Sequence, residues 1–417
     1  MRVVKVTIVG FLTVFAIACA AEKTTSPQQQ STSAANATPP VEAIASPTGA
    51  GAAEPFLFAT NDGVLLSWLE PVAGTDRTAL RFARYRAGRW SEPGTIVERN
   101  DLFVNWADFP SIVEDANGTL FAHWLQKSGK STYAYDVRMS ISPDGGATWR
   151  EPFLLNRDGK QREHGFASLA ALPGGGVGAT WLDGRNMKAG GEHEEDSGDM
   201  GIRYATIDAS GTIANDVEVD GRTCECCTTG MAMTSSGPVI VYRDRSPDEV
   251  RDIGYVAKTP DGWTEPARVN ADDWKINACP VNGPQIDAIG QRAAAAWFTA
   301  AQDQGRAYVA FSDDGGKTFA KPVQIDEGKP IGRLDVVVFD ETTALVTWLE
   351  QTGAGGEIRA RRVGRDGKTA PSMKIADSSI ARAAGFARVA RVGRDIYFTW
   401  TEQSANSKRV HVARGRF

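Results

Sequence analysis

An all-β fold, a single β-propeller of four-stranded blades, is what this 417-residue sequence predicts, and three observations carry the prediction. A β-rich run ending in an aromatic residue recurs along the chain, an Asp-Gly turn of fixed pattern returns twice, and no helical period interrupts them. Glycine (43) and tryptophan (11) are abundant while histidine (4) is scarce, a mixture suited to many short strands joined by tight turns.

The recurring anchors are Trp68, Trp124, Trp181, Tyr242, Trp297, Trp348 and Trp400. An acidic or amide residue usually follows within two positions, as in Trp68-Leu69-Glu70, Trp124-Leu125-Gln126 and Trp348-Leu349-Glu350. The anchors lie 56, 57, 61, 55, 51 and 52 residues apart, which fits one four-stranded blade per repeat. A further strand follows most anchors, among them 137–141, 202–207, 253–258, 307–311 and 358–363. Seven anchors predict seven blades, with six blades and an extra hairpin as the alternative. The seventh repeat stops at Phe417 after its third strand, so residues just before the first blade should supply the fourth and remove an exposed sheet edge.

The turn reads Ser142-Pro143-Asp144-Gly145-Gly146-Ala147-Thr148-Trp149 and returns as Ser312-Asp313-Asp314-Gly315-Gly316-Lys317-Thr318-Phe319. Its aspartate can accept backbone N–H bonds, a glycine can take positive φ without penalty, and the final aromatic can plug the space between neighbouring strands. Residues 89–93 and 261–266 are eroded versions. The motif resembles the Asp-box (BNR repeat) of sialidase-superfamily β-propellers, where it joins the third and fourth strands of a blade and is structural. The resemblance spans residues 55–417 at the level of the repeat and is nearest to bacterial sialidase-like lipoproteins.

At the N-terminus, Arg2 and Lys5 precede an apolar stretch, 6–18, too short to span a bilayer, so residues 1–18 read as an export signal. Phe15-Ala16-Ile17-Ala18-Cys19 resembles a lipoprotein box that would lipidate Cys19. Residues 19–52 are rich in Ser, Thr, Pro and Ala and read as a disordered tether, leaving 53–417 for the propeller. The expected location is the cell envelope, at the outer membrane, with the membrane as partner through the lipid. A glycan, a small molecule or a protein remains as the ligand class. A net charge of −5 argues against nucleic acid.

Propellers bind ligands where the loops leading into first strands meet those that follow second strands. That rule selects Trp106 and Asp108 in blade two, His164 in blade three, Cys224, Cys226 and Cys227 in blade four, and Cys279 and Asn282 in blade five. It adds Arg333 with Asp335 in blade six, Arg382 with Arg388 in blade seven, and Asp183, Arg185 and Arg245 after second strands. The four cysteines can pair as disulfides, in three ways. Alternatively they hold Cu or Zn with His164 as a further ligand. Strand alternation would place Cys224 and Cys226 on one face and Cys227 on the other. Cys279 is expected beside the cysteine triplet, and His164, Arg333, Trp106 and Asp108 around the same pocket. His123 and His411 read as structural or uninformative, and His193 lies in an acidic insertion.

The family resemblance implies three arginines on a substrate carboxylate, a tyrosine–glutamate nucleophile and an aspartate acid/base. Here Asp108-Phe109-Pro110 lacks the expected arginine, and Tyr242 occupies an anchor position. Asp108, His164, Arg185, Arg245, Arg333 and Arg382 are the catalytic candidates that remain. An envelope-anchored binding or redox protein is therefore the leading expectation. An exo-glycosidase and a disulfide-stapled interaction scaffold are the alternatives.

Overall fold

A computed structural model describes residues 41–188, 198–404 and 407–417. The export signal, Cys19, the tether as far as residue 40 and His193 lie outside the described residues. Seven antiparallel sheets form seven blades, and in six of them the strands follow one another in chain order from the cavity outward. Helical structure among the described residues is confined to one 3-10 turn, Ala301–Asp303. No helix among them is long and apolar enough to cross a membrane.

Closure follows the expected route. Val41–Ile44 pairs antiparallel with Lys408–Arg416, the last strand of the chain, and so supplies the fourth strand of blade seven. The ordered sheet therefore starts at Val41, inside the segment read as tether. Glu42 faces Arg414 in that register, and Val41 packs into the core of blades six and seven.

Period-two geometry explains the anchor repeat. Residues i and i+2 of a strand share a face, so a tryptophan and the acid two places on are neighbours. The indole of Trp68 donates to Glu70 (2.9 Å), that of Trp181 to Asp183 (2.7 Å) and that of Trp348 to Glu350 (2.7 Å). Each indole is fully buried, and the acid satisfies its one polar atom. Trp297 has Thr299 at that position and takes its acceptor from Asp272 instead, at 2.7 Å. The repeat is a packing signal, and it sets the acid of each pair, Asp183 among them, against its indole.

The Asp-Gly turns are built alike. Asp144 accepts from Thr148 N and Thr148 Oγ1, and Asp314 accepts from Lys317 N, Thr318 N and Thr318 Oγ1. Gly146 (φ +99°) and Gly316 (φ +82°) take the left-handed conformation, and a Cβ on Gly146 would fall 2.2 Å from the Phe82 ring. The aromatic after each turn packs on the preceding blade: Trp149 on Phe82 at 5.8 Å and Phe319 on Tyr255 at 4.9 Å. Trp263, after one of the eroded turns, packs on Tyr204 in the same way, at 4.9 Å.

Carboxylates fasten blades from within. Asp108 accepts from Phe166 N in the next blade (2.6 Å), Asp287 from Val338 N (2.7 Å) and Asp335 from Val389 N (2.9 Å). All three line the central cavity of about 310 Å³, to which every blade contributes. Burial pushes Asp108 up to about 7, against the opposing hydrogen bond from Phe166, and Asp287 up to about 6.

Candidate functional site

Successive antiparallel strands alternate in direction. The loops that lead into first strands and those that follow second strands therefore share one end of the ring, and the Asp-Gly turns lie at the other. On that first end the loops of blades two to five and of blade seven enclose a pocket of about 1020 Å³. Asn105 and Trp106, 129–134, 161–163, Met187 and Lys188, Glu225 and Cys226, Cys279, Val281 and Arg382 line it. Lys130, Arg162, Lys188 and Arg382 outnumber Glu163 and Glu225 in the lining, so the pocket is cationic on a chain of charge −5. Trp106 and the half-exposed Tyr133 supply flat apolar walls.

Cys226 and Cys279 form part of the lining, and their thiols are in hydrogen-bond contact, as the repeat register predicts. Residues 224–227 form a turn, not a strand, so the expected alternation of faces does not hold. The turn carries all three thiols to one point. Cys224 Sγ lies 3.7 Å from Cys226 Sγ and 3.4 Å from Cys227 Sγ, and no S–S bond joins any of the four cysteines. Cys224 and Cys227 are buried, and Cys226 faces the pocket.

Two buried arginines polarise this cluster. Arg251 Nη1 donates to Cys224 Sγ at 3.3 Å while also holding Glu225 and Glu249. Arg243 is 1 % exposed, stacks on Trp274 at 4.8 Å, and spends its hydrogen bonds on the main-chain carbonyls of Asn282, Arg251 and Phe298. No carboxylate among the described residues comes within 4 Å of it, and its charge acts on Cys227 as well as on Asp272. Burial works against ionisation of Cys227, but hydrogen bonds to Cys224 and Cys226, followed by the charge of Arg243, outweigh it. Its thiol is held well below the ordinary range. Burial pushes Cys224 up to about 11, and its thiol donates to Cys227. Cys226 is also raised, by its hydrogen bonds to Cys224 and Cys227.

His164 is absent from this cluster. It is wholly buried at the head of blade three among Asp136, Asp158 and Asp183, and it does not line the pocket. Asp108 belongs to the central cavity, as the fastening described above. Arg333 takes a left-handed backbone (φ +58°), lies 4.9 Å from the Phe386 ring, and donates to the carbonyls of Ala384 and Arg382. Burial and the nearby Arg382 pull it down to about 10. Arg382 lies over Trp106 at 5.3 Å and does line the pocket. Arg185 is committed to Asp183, and Arg245 to Glu249 and Glu225. Asn282 bridges blades five and six: it donates to Ile331 O and accepts from Arg333 N. Arg388 is buried at the central cavity. Among the described residues the three-arginine clamp that the resemblance implies is not assembled: of these arginines only Arg382 lines the pocket.

Sequence reasoning missed a tyrosine–glutamate pair. Tyr135, which opens the third strand of blade two, donates to Glu163 Oε1 at 2.7 Å, and Glu163 lines the pocket. Tyr135 is fully buried and stacks on Phe103 at 4.1 Å. Burial, with Glu163 and Asp108 nearby, pushes its hydroxyl well above the usual range. The signal was present in Glu163, which directly precedes His164 in a loop already aimed at this end. Its partner is 28 residues away and could not be assigned without the strand register.

No family model matches the chain, and no curated protein is similar to it. Among solved structures, the polysaccharide lyase Uly1 is similar over 87% of this chain and 89% of its own, with TM-score 0.52 and 9% identity. The NanB sialidase from Streptococcus pneumoniae covers 90% of this chain and 94% of its own, with TM-score 0.47 and 9% identity. The phage phi92 endosialidase covers 91% of this chain and 69% of its own, with TM-score 0.48 and 10% identity. At such identities the likeness is one of fold alone: the chain is a seven-bladed β-propeller whose fold is similar to that of the polysaccharide lyase.

Proposed function

We propose that this propeller is a binding protein of the cell envelope that holds a thiophilic cation, Cu(I) or Zn(II), on Cys224, Cys226 and Cys227. The spacing of the three sulfurs carries the reading. Metal–sulfur bonds of about 2.3 Å place two tetrahedral ligands roughly 3.8 Å apart. The observed 3.4 and 3.7 Å are near that edge and far from a disulfide. Cys279 stands beside Cys226, at the edge of the three-sulfur group. Arg243 and Arg251 offset the negative charge that several thiolates would bring. The pocket above, with its cationic lining and aromatic walls, suits an anionic ligand or the partner that exchanges the metal. Cys19 would tether the domain to the membrane.

Competition against a chromophoric chelator tests the metal reading. The reduced protein should take one equivalent of Cu(I), or of Zn(II) beyond what the Cys224/Cys226/Cys227→Ser variant binds, and Cys226→Ser should weaken it by at least tenfold. Binding no tighter than that of the Cys224/Cys226/Cys227→Ser variant would sink it. Membrane partitioning that survives Cys19→Ser would refute the anchor.

An exo-glycosidase is the second reading, favoured by the Tyr135–Glu163 pair at the pocket wall. The buried, upshifted tyrosine and the committed arginines weigh against it. Hydrolysis of aryl glycosides that disappears in Tyr135→Phe and in Glu163→Gln, both still folded, would move it to first place.

A further inference from the structure

We propose a second cation site, independent of the cysteines, in which Asp158, His164 and Asp183 bind a divalent ion of the zinc class. The three residues come from different segments: the loop between blades two and three, the first residue of His164–Ala171, and the last of Val177–Asp183. Backbone register sets His164 directly opposite Asp183. Their donor atoms lie within 4.8 Å of one another.

Unsatisfied buried atoms point to a ligand. His164 is 0 % exposed, yet neither ring nitrogen makes a hydrogen bond, and neither does either carboxylate oxygen of Asp158, whose side chain is 5 % exposed. Four polar atoms without partners in so small a volume are costly, and such groups normally find partners. A histidinium caged by carboxylates would close on them as charge-assisted hydrogen bonds of about 2.7–2.9 Å. The distances are instead 3.3 Å from Nε2 to Asp158 Oδ2 and 3.7 Å from Nε2 to Asp183 Oδ1. Two ligands bonded at about 2.0–2.1 Å to one tetrahedral ion stand roughly 3.3–3.4 Å apart, so the pair distances fit donors gathered around an ion.

The carboxylate behind the imidazole and the local charge agree with this. Nδ1 of His164 faces Asp136 Oδ1 at 3.7 Å, on the side of the ring away from Asp158, and Asp136 is itself held by Asn156 at 2.9 Å. A carboxylate behind a ligating imidazole fixes the tautomer that leaves Nε2 free for the metal. Asp183 is oriented by Trp181 and Arg185, which still leaves Oδ1 facing the histidine. Three carboxylates meet one arginine here, and a dication balances them. One imidazole and two carboxylates form a borderline-to-hard donor set, unlike the thiols. The ion would tie the 157–163 loop, and with it Arg162 and Glu163 of the pocket wall, to blade three.

The test uses the full chain with Cys224, Cys226, Cys227 and Cys279 all changed to serine, titrated with Co(II) and Zn(II). The expected result is one equivalent of Co(II), with visible d–d bands, no sulfur charge-transfer band, and displacement by Zn(II). Asp158→Asn and His164→Gln should lose at least tenfold in affinity, and Asp136→Asn about 10–100-fold. If the serine variant does not fold, wild-type protein with alkylated thiols replaces it, and Asp158→Asn should still remove one equivalent. Absence of Co(II) and Zn(II) binding in the thiol-blocked protein overturns the proposal, as does full affinity in Asp158→Asn. Neither outcome bears on the cysteine site, which the thiol block has already removed.

Discussion

Replacing Asp108 by asparagine should flatten the loss of stability that the wild type suffers between acid and neutral pH. Asp108 is 2 % exposed, and burial pushes its carboxyl from 3.8 to about 7. A carboxyl raised in the folded state stabilises fully below its unfolded value and loses that contribution as pH climbs through its folded value. The window is therefore pH 4 to 7, and the sign is a decline with rising pH. At 1.36 kcal/mol per unit the full excursion is up to about 4 kcal/mol. Asparagine keeps an oxygen to accept from Phe166 N, the bond that fastens blade two to blade three, and it cannot ionise. Its extra amide hydrogens add an offset that does not change with pH, so the informative quantity is the difference between the two proteins as a function of pH. Urea unfolding at steps from pH 4.5 to 8.5 measures it, with the m-value checked for constancy. The variant should gain about 2–4 kcal/mol on wild type across the range, while Asp287 and Asp335 keep a shallower decline in both. A flat difference curve would refute the assignment of Asp108 as a buried, largely protonated fastening.

Other elements give sharper local tests. Trp348→Phe removes the indole donor to Glu350 and leaves a smaller ring in a fully buried site, so thermal unfolding should report a loss of about 1–3 kcal/mol. Asp314→Ala strips four acceptor bonds from the second Asp-Gly turn, and a loss of about 1–2 kcal/mol is expected by urea unfolding. Beginning the chain at Ala45 deletes the closing strand and exposes the edge of Lys408–Arg416. The melting temperature should fall and self-association should appear in sedimentation, whereas an unchanged monomer would refute closure.

The fold was legible because its signals are local and repeated. An anchor such as Trp181 and its acceptor Asp183 are two residues apart, and Asp144 with Thr148 four apart, so strand and turn chemistry is written in contiguous sequence. Closure by Val41–Ile44 was legible as a count, since a seventh blade with three strands needs a fourth. The start of that strand was not. It sits in a stretch whose composition is that of a linker, and only pairing with Val412–Gly415 distinguishes it.

The site was legible only as far as repeat register reaches. Register alone brings Cys279 against Cys226, because both stand at equivalent places in adjacent blades. It fails where a side chain's use depends on what else is buried nearby. Asp183 and Asp108 looked like channel ligands by position, yet one serves an indole and an arginine and the other a neighbouring strand. Arg243 carries no signal in its spacing, and its buried charge adds to the hydrogen bonds from Cys224 and Cys226 that hold the Cys227 thiol low. His164 makes the point most clearly. Its position predicted a ligand shared with the cysteines, and the fold turns it the other way, into three carboxylates drawn from residues 136, 158 and 183. Only one of those, Asp183, stands where the channel rule looks. A loop packed under the pocket wall brings Asp158 in, and no spacing in the sequence encodes that approach. Seven nearly equivalent blades thus specify where chemistry can gather, and the irregular loops between them decide which donors meet.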